Sequence, residues 1–171
     1  FGVHQRLTLA QKGNAIDMLV MTATPIPRTL LLTAYGDLDA SRLTEKPAGR
    51  MPVDTRTVPL SRLEEVGARL DNAIRDGARI YWVCPLVDES EAVDLAAATE
   101  RQAALAQRFG DRVGLVPGRM KGKEKDAVMA RFASGQIDIL VATTVIEVGV
   151  DIPEATVMVV EHAERFGLAQ L

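Results

Sequence analysis

ILVATTVIEVGVDIPEATVMVV, residues Ile139 to Val160, opens and closes on apolar, β-branched runs without the alternation of a half-solvated strand. Extended by a residue or two, these runs read DILVATT and ATVMVVEH. Runs of this kind suit strands covered on both faces, the usual condition of a parallel sheet. Upstream, KGKEKDAVMARFASG predicts a helix with Val128 and Phe132 on one face and Ser134-Gly135 as its stop. RVGLV is a short strand, and a helix is expected around ATERQAALAQRFG. RIYWVCPLV reads as a further strand, limited by Pro85. In SRLEEVGARLDNAIRDG, Ser61 and Glu64 stand at capping-box spacing and Gly77 ends a helix whose Leu63, Val66, Leu70, Ala73 and Ile74 share a face. Strand and helix thus alternate with short links. The expected fold class is α/β, a parallel sheet with helices on both faces.

This domain is expected to occupy residues 53–171, after a linker, 47–52, drawn from the Pro- and Gly-containing EKPAGRMP. Residues 1–46 read differently: a helix, a strand over 18–22, a helix over 27–35 and a short extended piece. That is too little sheet to close a core, so these residues are expected to be part of another domain.

The chain has 171 residues, 47 % hydrophobic and 25 % charged, which places it with globular proteins. No apolar run approaches the roughly 20 residues that span a bilayer, and FGVHQRLTLAQKG lacks the regions of a signal peptide. The single cysteine, Cys84, forms no internal disulfide and suits a reducing cytoplasm. His4 and His162 are the only histidines, too few for the usual structural zinc sites. A net charge of −3 neither demands nor excludes nucleic acid, because a basic face can hide in an acidic average.

In parallel α/β sheets, ligands sit beyond the carboxyl ends of the strands. LVMTATPIPRTL, Leu19 to Leu30, and the run beginning at Ile139 each climb to hydroxyl residues at such an end. Thr22 and Thr24 stand at the first, Thr143 and Thr144 at the second. Hydroxyls and free amides there hold phosphate oxygens, although a single threonine is equally at home in a strand or a cap. In VIEVGVDIP, Gly149 permits close backbone approach, and Asp151 can accept from a ribose hydroxyl or an arginine, or simply cap its loop. PGRMKGKEK sets Gly118 at a strand end, with Arg119, Lys121, Lys123 and Lys125 over the following helix start. This pattern fits a phosphate grip, or else a solvated helix face with Glu124 and Asp126 as local partners.

WVCPLVDESE imitates a magnesium-binding strand end, but Pro85 displaces Asp88 and Glu89 from it. There is no G-x-x-x-x-G-K-[ST] and no G-x-S-x-G. Tyr81, Trp82 and Cys84 are expected in the core.

At these residues the chain resembles superfamily 2 helicases. TATP, Thr22 to Pro25, looks like motif III, and VATTVIEVGVDIP, Val141 to Pro153, looks like motif V. VMTATPIPRTLLLTAYGDLD, KPAGRMPVDT, CPLVDESE and HAERFGLAQL carry a narrower resemblance to the RecG family of ATP-dependent DNA helicases. The transcription-repair coupling translocases share TATPIPRT and FGLAQL, but GDLD and GRMPVDT look more like RecG.

The resemblance implies two RecA-like domains with ATP between them. Residues 1–46 would be the last part of the first domain, and residues 53–171 most of the second, ending before motif VI. It implies that the P-loop, the acid that binds Mg²⁺ and the arginine finger lie outside this chain, so that the chain alone does not hydrolyse ATP. Thr22 and Thr24 would couple nucleotide state to DNA grip. Thr143, with Thr144, and Gly118 with Arg119 would contact strand phosphates, and Gly149 and Asp151 would face the nucleotide. The family has His where this chain has Pro117, so one side-chain contact is lost while the Gly118 amide remains. The implied partner is branched DNA, at forks and Holliday junctions in repair and recombination, with no membrane. An unpaired strand in the first piece is expected to promote self-association. The alternatives are a translocase acting on RNA polymerase and a non-catalytic interaction module.

Overall fold

The computed structural model divides the chain into two compact units, Phe1–Val53 and Asp54–Leu171. It describes residues 8, 19, 21, 41–45, 49, 51–85, 91–143 and 152–167. In the first unit Thr8 is helical. Leu19 and Met21, from the strand expected over 18–22, belong to no strand and are exposed. A strand requires a neighbour to pair with. The helix expected over 27–35 lies outside the described residues.

The second unit contains three helices and four strands among its described residues. They follow in the order α1 (Leu63–Arg75), β1 (Ile80–Val83), α2 (Glu91–Phe109), β2 (Val113–Val116), α3 (Gly122–Ala133), β3 (Ile139–Ala142) and β4 (Val157–Val160). The strands form one sheet, ordered β2-β3-β1-β4, and every pair is parallel. This is the expected sandwich. Side chains alternate across it with the period of two that any strand imposes. Ile139 and Val141 join Ile80, Trp82 and Val113 in a core cluster with Leu70 of α1 and Ala98 and Leu105 of α2. Leu140 points the other way, into a cluster with Val116, Ile137 and the Met129 and Phe132 of α3. All four residues of β3 are buried, as a central strand between two helical layers must be.

The helices end as their glycines require. Gly77 and Gly135 take φ of 90° and 78°. The amides of Ala78 and Gln136 reach back to the carbonyls of Ala73 and Arg131, closing a Schellman motif at each end. The start of α1 departs from expectation. A 3-10 turn, Leu60–Arg62, precedes it, and no side chain caps it. Pro59 fixes the entry, and Arg62 holds Glu65 in a two-pronged ion pair, so Ser61 lies inside the turn and makes no capping box. Helix α2 begins at Glu91, a turn and more before the segment that showed it in the sequence. Strand β4 also departs, because Met158 is 61 % exposed. It stands in register with Tyr81 on the α3 side of the sheet. Helix α3 packs over β2, at the opposite edge, and leaves it uncovered.

Candidate nucleic-acid interface

Strands β2 and β3 are neighbours whose register pairs Val116 with Ala142. The chain therefore leaves the sheet side by side at Pro117 and Thr143. Across this gap the Gly118 amide donates to the Thr143 hydroxyl oxygen at 2.9 Å. Two residues that the sequence separates widely thus form one unit at the carboxyl edge. Thr143 is 4 % exposed, whereas Gly118 and Arg119 are exposed.

The loop after β2 is a tight turn in which the Met120 amide donates to the Pro117 carbonyl at 3.0 Å. Gly118 and Arg119 are its two central residues, and Met120 packs half-buried against the α3 cluster. The turn runs directly into α3, whose N-cap, Lys121, contributes no side-chain cap. The first-turn amides of α3 carry the positive end of the helix dipole toward the same edge. Arg119, Lys121 and Lys123 are exposed beside them, with Lys125 half-buried and the carboxylates of Glu124 and Asp126 also exposed. An oriented hydroxyl, a backbone turn, a helix start and cations are the groups that hold a phosphate chain without reading its bases.

Of the residues singled out in the sequence, Gly118, Arg119 and Thr143 are thereby brought together. Thr22, Thr24, Thr144, Gly149 and Asp151 lie outside the described residues, as do Asp88 and Glu89. Trp82 is a core side chain, as expected, while Tyr81 is half-buried against the α3 cluster. Trp82 is 1 % exposed, and Tyr81 tilts against Phe132 with ring centroids 5.0 Å apart. Among the described residues no group of three His, Cys, Asp or Glu gathers as metal ligands. No helix among them is long and apolar enough to cross a membrane.

A second polar cluster at the carboxyl edge gave no sign of itself in the sequence. Glu161, just past β4, is 8 % exposed, with Arg101 of α2 at 2.6 Å. Cys84, just past β1, donates its thiol to the other oxygen of the same carboxylate at 3.7 Å. The Arg101 guanidinium also lies over the Trp82 ring, 5.7 Å from its centroid. Burial first, then the Glu161 carboxylate, pushes the Cys84 thiol up to about 12, with Arg101 opposing. Arg101 and Glu161 are near enough for an ion pair but poorly aligned for a hydrogen bond. Arg101 Nε, Glu161 Oε1 and Trp82 Nε1 stay buried without hydrogen-bond partners among the described residues. A cavity of about 260 Å³ opens between Cys84, Arg101, Glu161 and His162, and His162 holds a left-handed backbone at φ 48°. Cys84, Arg101 and Glu161 come from three elements, and no local pattern links them.

A four-stranded parallel sheet sandwiched by helices, with its polar loops at the carboxyl edge, defines the class: a RecA-like α/β domain. Residues 64–170 match the helicase conserved C-terminal domain, and the chain belongs to that family. Among similar proteins, the ATP-dependent DNA helicase RecG of Acidithiobacillus ferridurans is 54 % identical over 175 residues, which take in 100 % of this chain and 25 % of that protein. The RecG of Escherichia coli (strain K12) is 51 % identical over 177 residues, 100 % of this chain and 26 % of its own length. The chain thus spans about a quarter of these curated relatives. A solved structure described as RecG bound to a three-way DNA junction superposes with a TM-score of 0.73 at 45 % identity, covering 94 % of this chain and 21 % of that one.

Proposed function

We propose that this chain is part of an ATP-driven DNA helicase that translocates on branched DNA, remodelling stalled forks and Holliday junctions in cytoplasmic repair and recombination. Residues 53–171 form most of its second motor domain, and residues 1–46 the end of its first. The observation that carries this reading is the Thr143–Gly118 unit set beside exposed Arg119, Lys121 and Lys123. Contacts of this kind go to the sugar-phosphate backbone, so they tolerate movement along any sequence. The relatives named RecG and the junction-bound structure support DNA, and branched DNA in particular, as the partner.

A motor also needs phosphate contacts that differ between its open and closed states. Thr22 and Thr24 are assigned to that coupling. Thr144 joins the strand contacts, and Gly149 and Asp151 face the nucleotide. ATP with Mg²⁺ supplies the drive, held mainly by residues beyond this chain, so the isolated chain does not hydrolyse ATP. The described residues supply the DNA side of the cycle: they bind the backbone and fix the geometry of the grip.

The test is ATP hydrolysis by the full-length protein, with no DNA, linear duplex or a model fork compared at one salt concentration. Strong stimulation by the fork is expected. No hydrolysis under any condition would overturn the motor in favour of an interaction module. A second expectation concerns the 171-residue chain alone. Leu19 and Met21 are 81 % and 83 % exposed, and large apolar side chains left in water favour association. Light scattering should show mass rising with concentration, and a constant monomer mass would count against it.

A further inference from the structure

We infer that Arg101 and Glu161 are a positioning pair: their buried contact at 2.6 Å sets the direction in which the chain leaves β4, and the DNA-stimulated turnover of the full-length protein depends on that direction. This rests on the reading of the chain as part of a motor, and it adds two residues that lie outside the DNA grip.

Among the described residues β4 is an edge strand, paired only with β1. Its ladder ends where the Glu161 amide donates to the Val83 carbonyl at 2.9 Å. The next residue, His162, bends the chain with φ 48° and ψ 50°, and it alone among the described non-glycine residues has a positive φ. A residue with a Cβ keeps such a conformation where its surroundings fix it, and positions of this kind gather at functional sites. A 3-10 turn, Ala163–Arg165, follows at once, with the Arg165 amide on the His162 carbonyl at 2.9 Å.

The anchor of His162 lies one residue back. On the solvent side its Nδ1 is 3.1 Å from Glu164, but that carboxylate is 71 % exposed, and exposed pairs hold little. Toward α2, the cavity lined by Ala97, Ala104, Pro85 and His162 separates the turn from the helix. The Arg101–Glu161 pair bridges the two, with the Cys84 thiol on the second carboxylate oxygen. One buried carboxylate thus ties the exits of β1 and β4 to α2. For stability this is a poor arrangement. Buried ion pairs offset their desolvation only when well matched, and Arg101 Nε and Glu161 Oε1 lack hydrogen-bond partners among the described residues. Apolar side chains of similar volume serve stability as well or better, but apolar contact is non-directional. Direction is what the pair adds. In the order β2-β3-β1-β4 the exit of β4 is two strands from Thr143, roughly 10 Å away, so the pair acts on turnover and not on the phosphate grip.

Full-length protein carrying Arg101→Met, Glu161→Leu or both tests this. Three quantities are read: kcat for DNA-stimulated ATP hydrolysis, the Kd for a fluorescein-labelled three-way DNA junction at fixed salt, and the urea midpoint. Each single variant strands a buried charge and should lower the midpoint, whereas the double variant should regain it. In the double variant kcat should nevertheless stay about tenfold low, with the junction Kd within about twofold, because small misplacements far from the reacting atoms slow chemistry. Arg101→Lys keeps the charge but replaces a planar fork with a flexible ammonium. It should hold the midpoint while kcat falls about threefold, since orientation alone is loosened. A double variant that recovers kcat together with its midpoint would overturn the inference, because the pair would then serve stability alone. Unchanged kcat in Arg101→Lys would overturn it too, as would a junction Kd weakened in step with kcat. Wild-type protein that hydrolyses no ATP with DNA would instead remove the motor reading, and this inference with it.

Discussion

The two edges of the sheet treat their polar groups in opposite ways. At the amino edge they fasten chain to chain. Arg79 donates to the Ala133 carbonyl at the end of α3, at 2.8 Å, and to the Glu154 carboxylate at 3.2 Å. Its own amide donates to the Glu154 carbonyl. Asp138 is 5 % exposed and paired with Arg112, and its backbone bonds both Arg112 and Ile80. Asp138 Oδ2 is an exception, buried without a hydrogen-bond partner among the described residues, whereas at the carboxyl edge polar groups mostly face outward or remain incompletely matched. The Thr143–Gly118 turn presents cations to solvent, and the Cys84–Glu161–Arg101 cluster buries atoms without partners. Strands in a parallel sheet all point one way, so one edge can be sealed for stability while the other is left for ligands. The difference between the edges is therefore a difference between what holds the domain and what the domain holds.

The sharpest way to break this contrast is alkaline titration of the buried thiol. Cys84 keeps its proton to about 12 in the folded chain, against an ordinary 9.0. Between these values the unfolded chain loses a proton that the folded chain retains, so stability falls as pH rises. The contribution is intact below pH 9, and the slope approaches about 1.4 kcal/mol per pH unit above it. Urea unfolding at pH 8, 9.5 and 11 should show this loss in the wild type and a smaller one in Cys84→Ala. Parallel curves would mean the thiol titrates freely and the cluster is open to water.

Gly135→Ala probes the opposite edge. Its φ of 78° is costly for alanine, and the new methyl would meet Arg79 Nη2 at 3.1 Å. A loss of about 1–2 kcal/mol is expected, read as a lower urea midpoint, with no change in DNA affinity. A weakened DNA affinity in a protein of normal stability would mean that the amino edge also serves binding.

The smallest effect belongs to the exposed cation. Arg119→Ala should lower DNA affinity by less than tenfold and flatten log Kd against log salt by about one unit. Its unfolding midpoint should shift little, as surface substitutions do. An unchanged salt slope would remove Arg119 from the phosphate contacts.

Much of the fold was legible because the strands of a doubly covered sheet are nearly pure apolar runs, as in IYWV and ILVA. The same composition hid the exposure of Met158. A strand of this makeup reads alike at the centre and at the edge of a sheet, and only strand order distinguishes them. The Ser61–Glu64 spacing misled because Pro59 starts a 3-10 turn one residue too early for a cap. At the candidate site, Thr143 and Gly118 were each visible from their strand ends. Their bond was not, because it depends on β2 and β3 being neighbours. Arg101 and Glu161 were missed altogether, since a helical arginine and a post-strand glutamate are ordinary until the fold sets them together.

The strand order also governs when the domain can come into being. β1 and β2 are made early and never pair with each other, because β3 lies between them and bonds to both. Before Ile139 is reached, the described residues of the second unit comprise three helices and two strands with no ladder to join them. Loop closure must be completed across long segments before any pairing repays it, which makes such sheets slow to fold. On the ribosome, the apolar faces of α1 and α2 must therefore wait for a strand made well after them, and ILVA is the segment whose emergence lets the first three strands join, with β4 added to the edge afterwards.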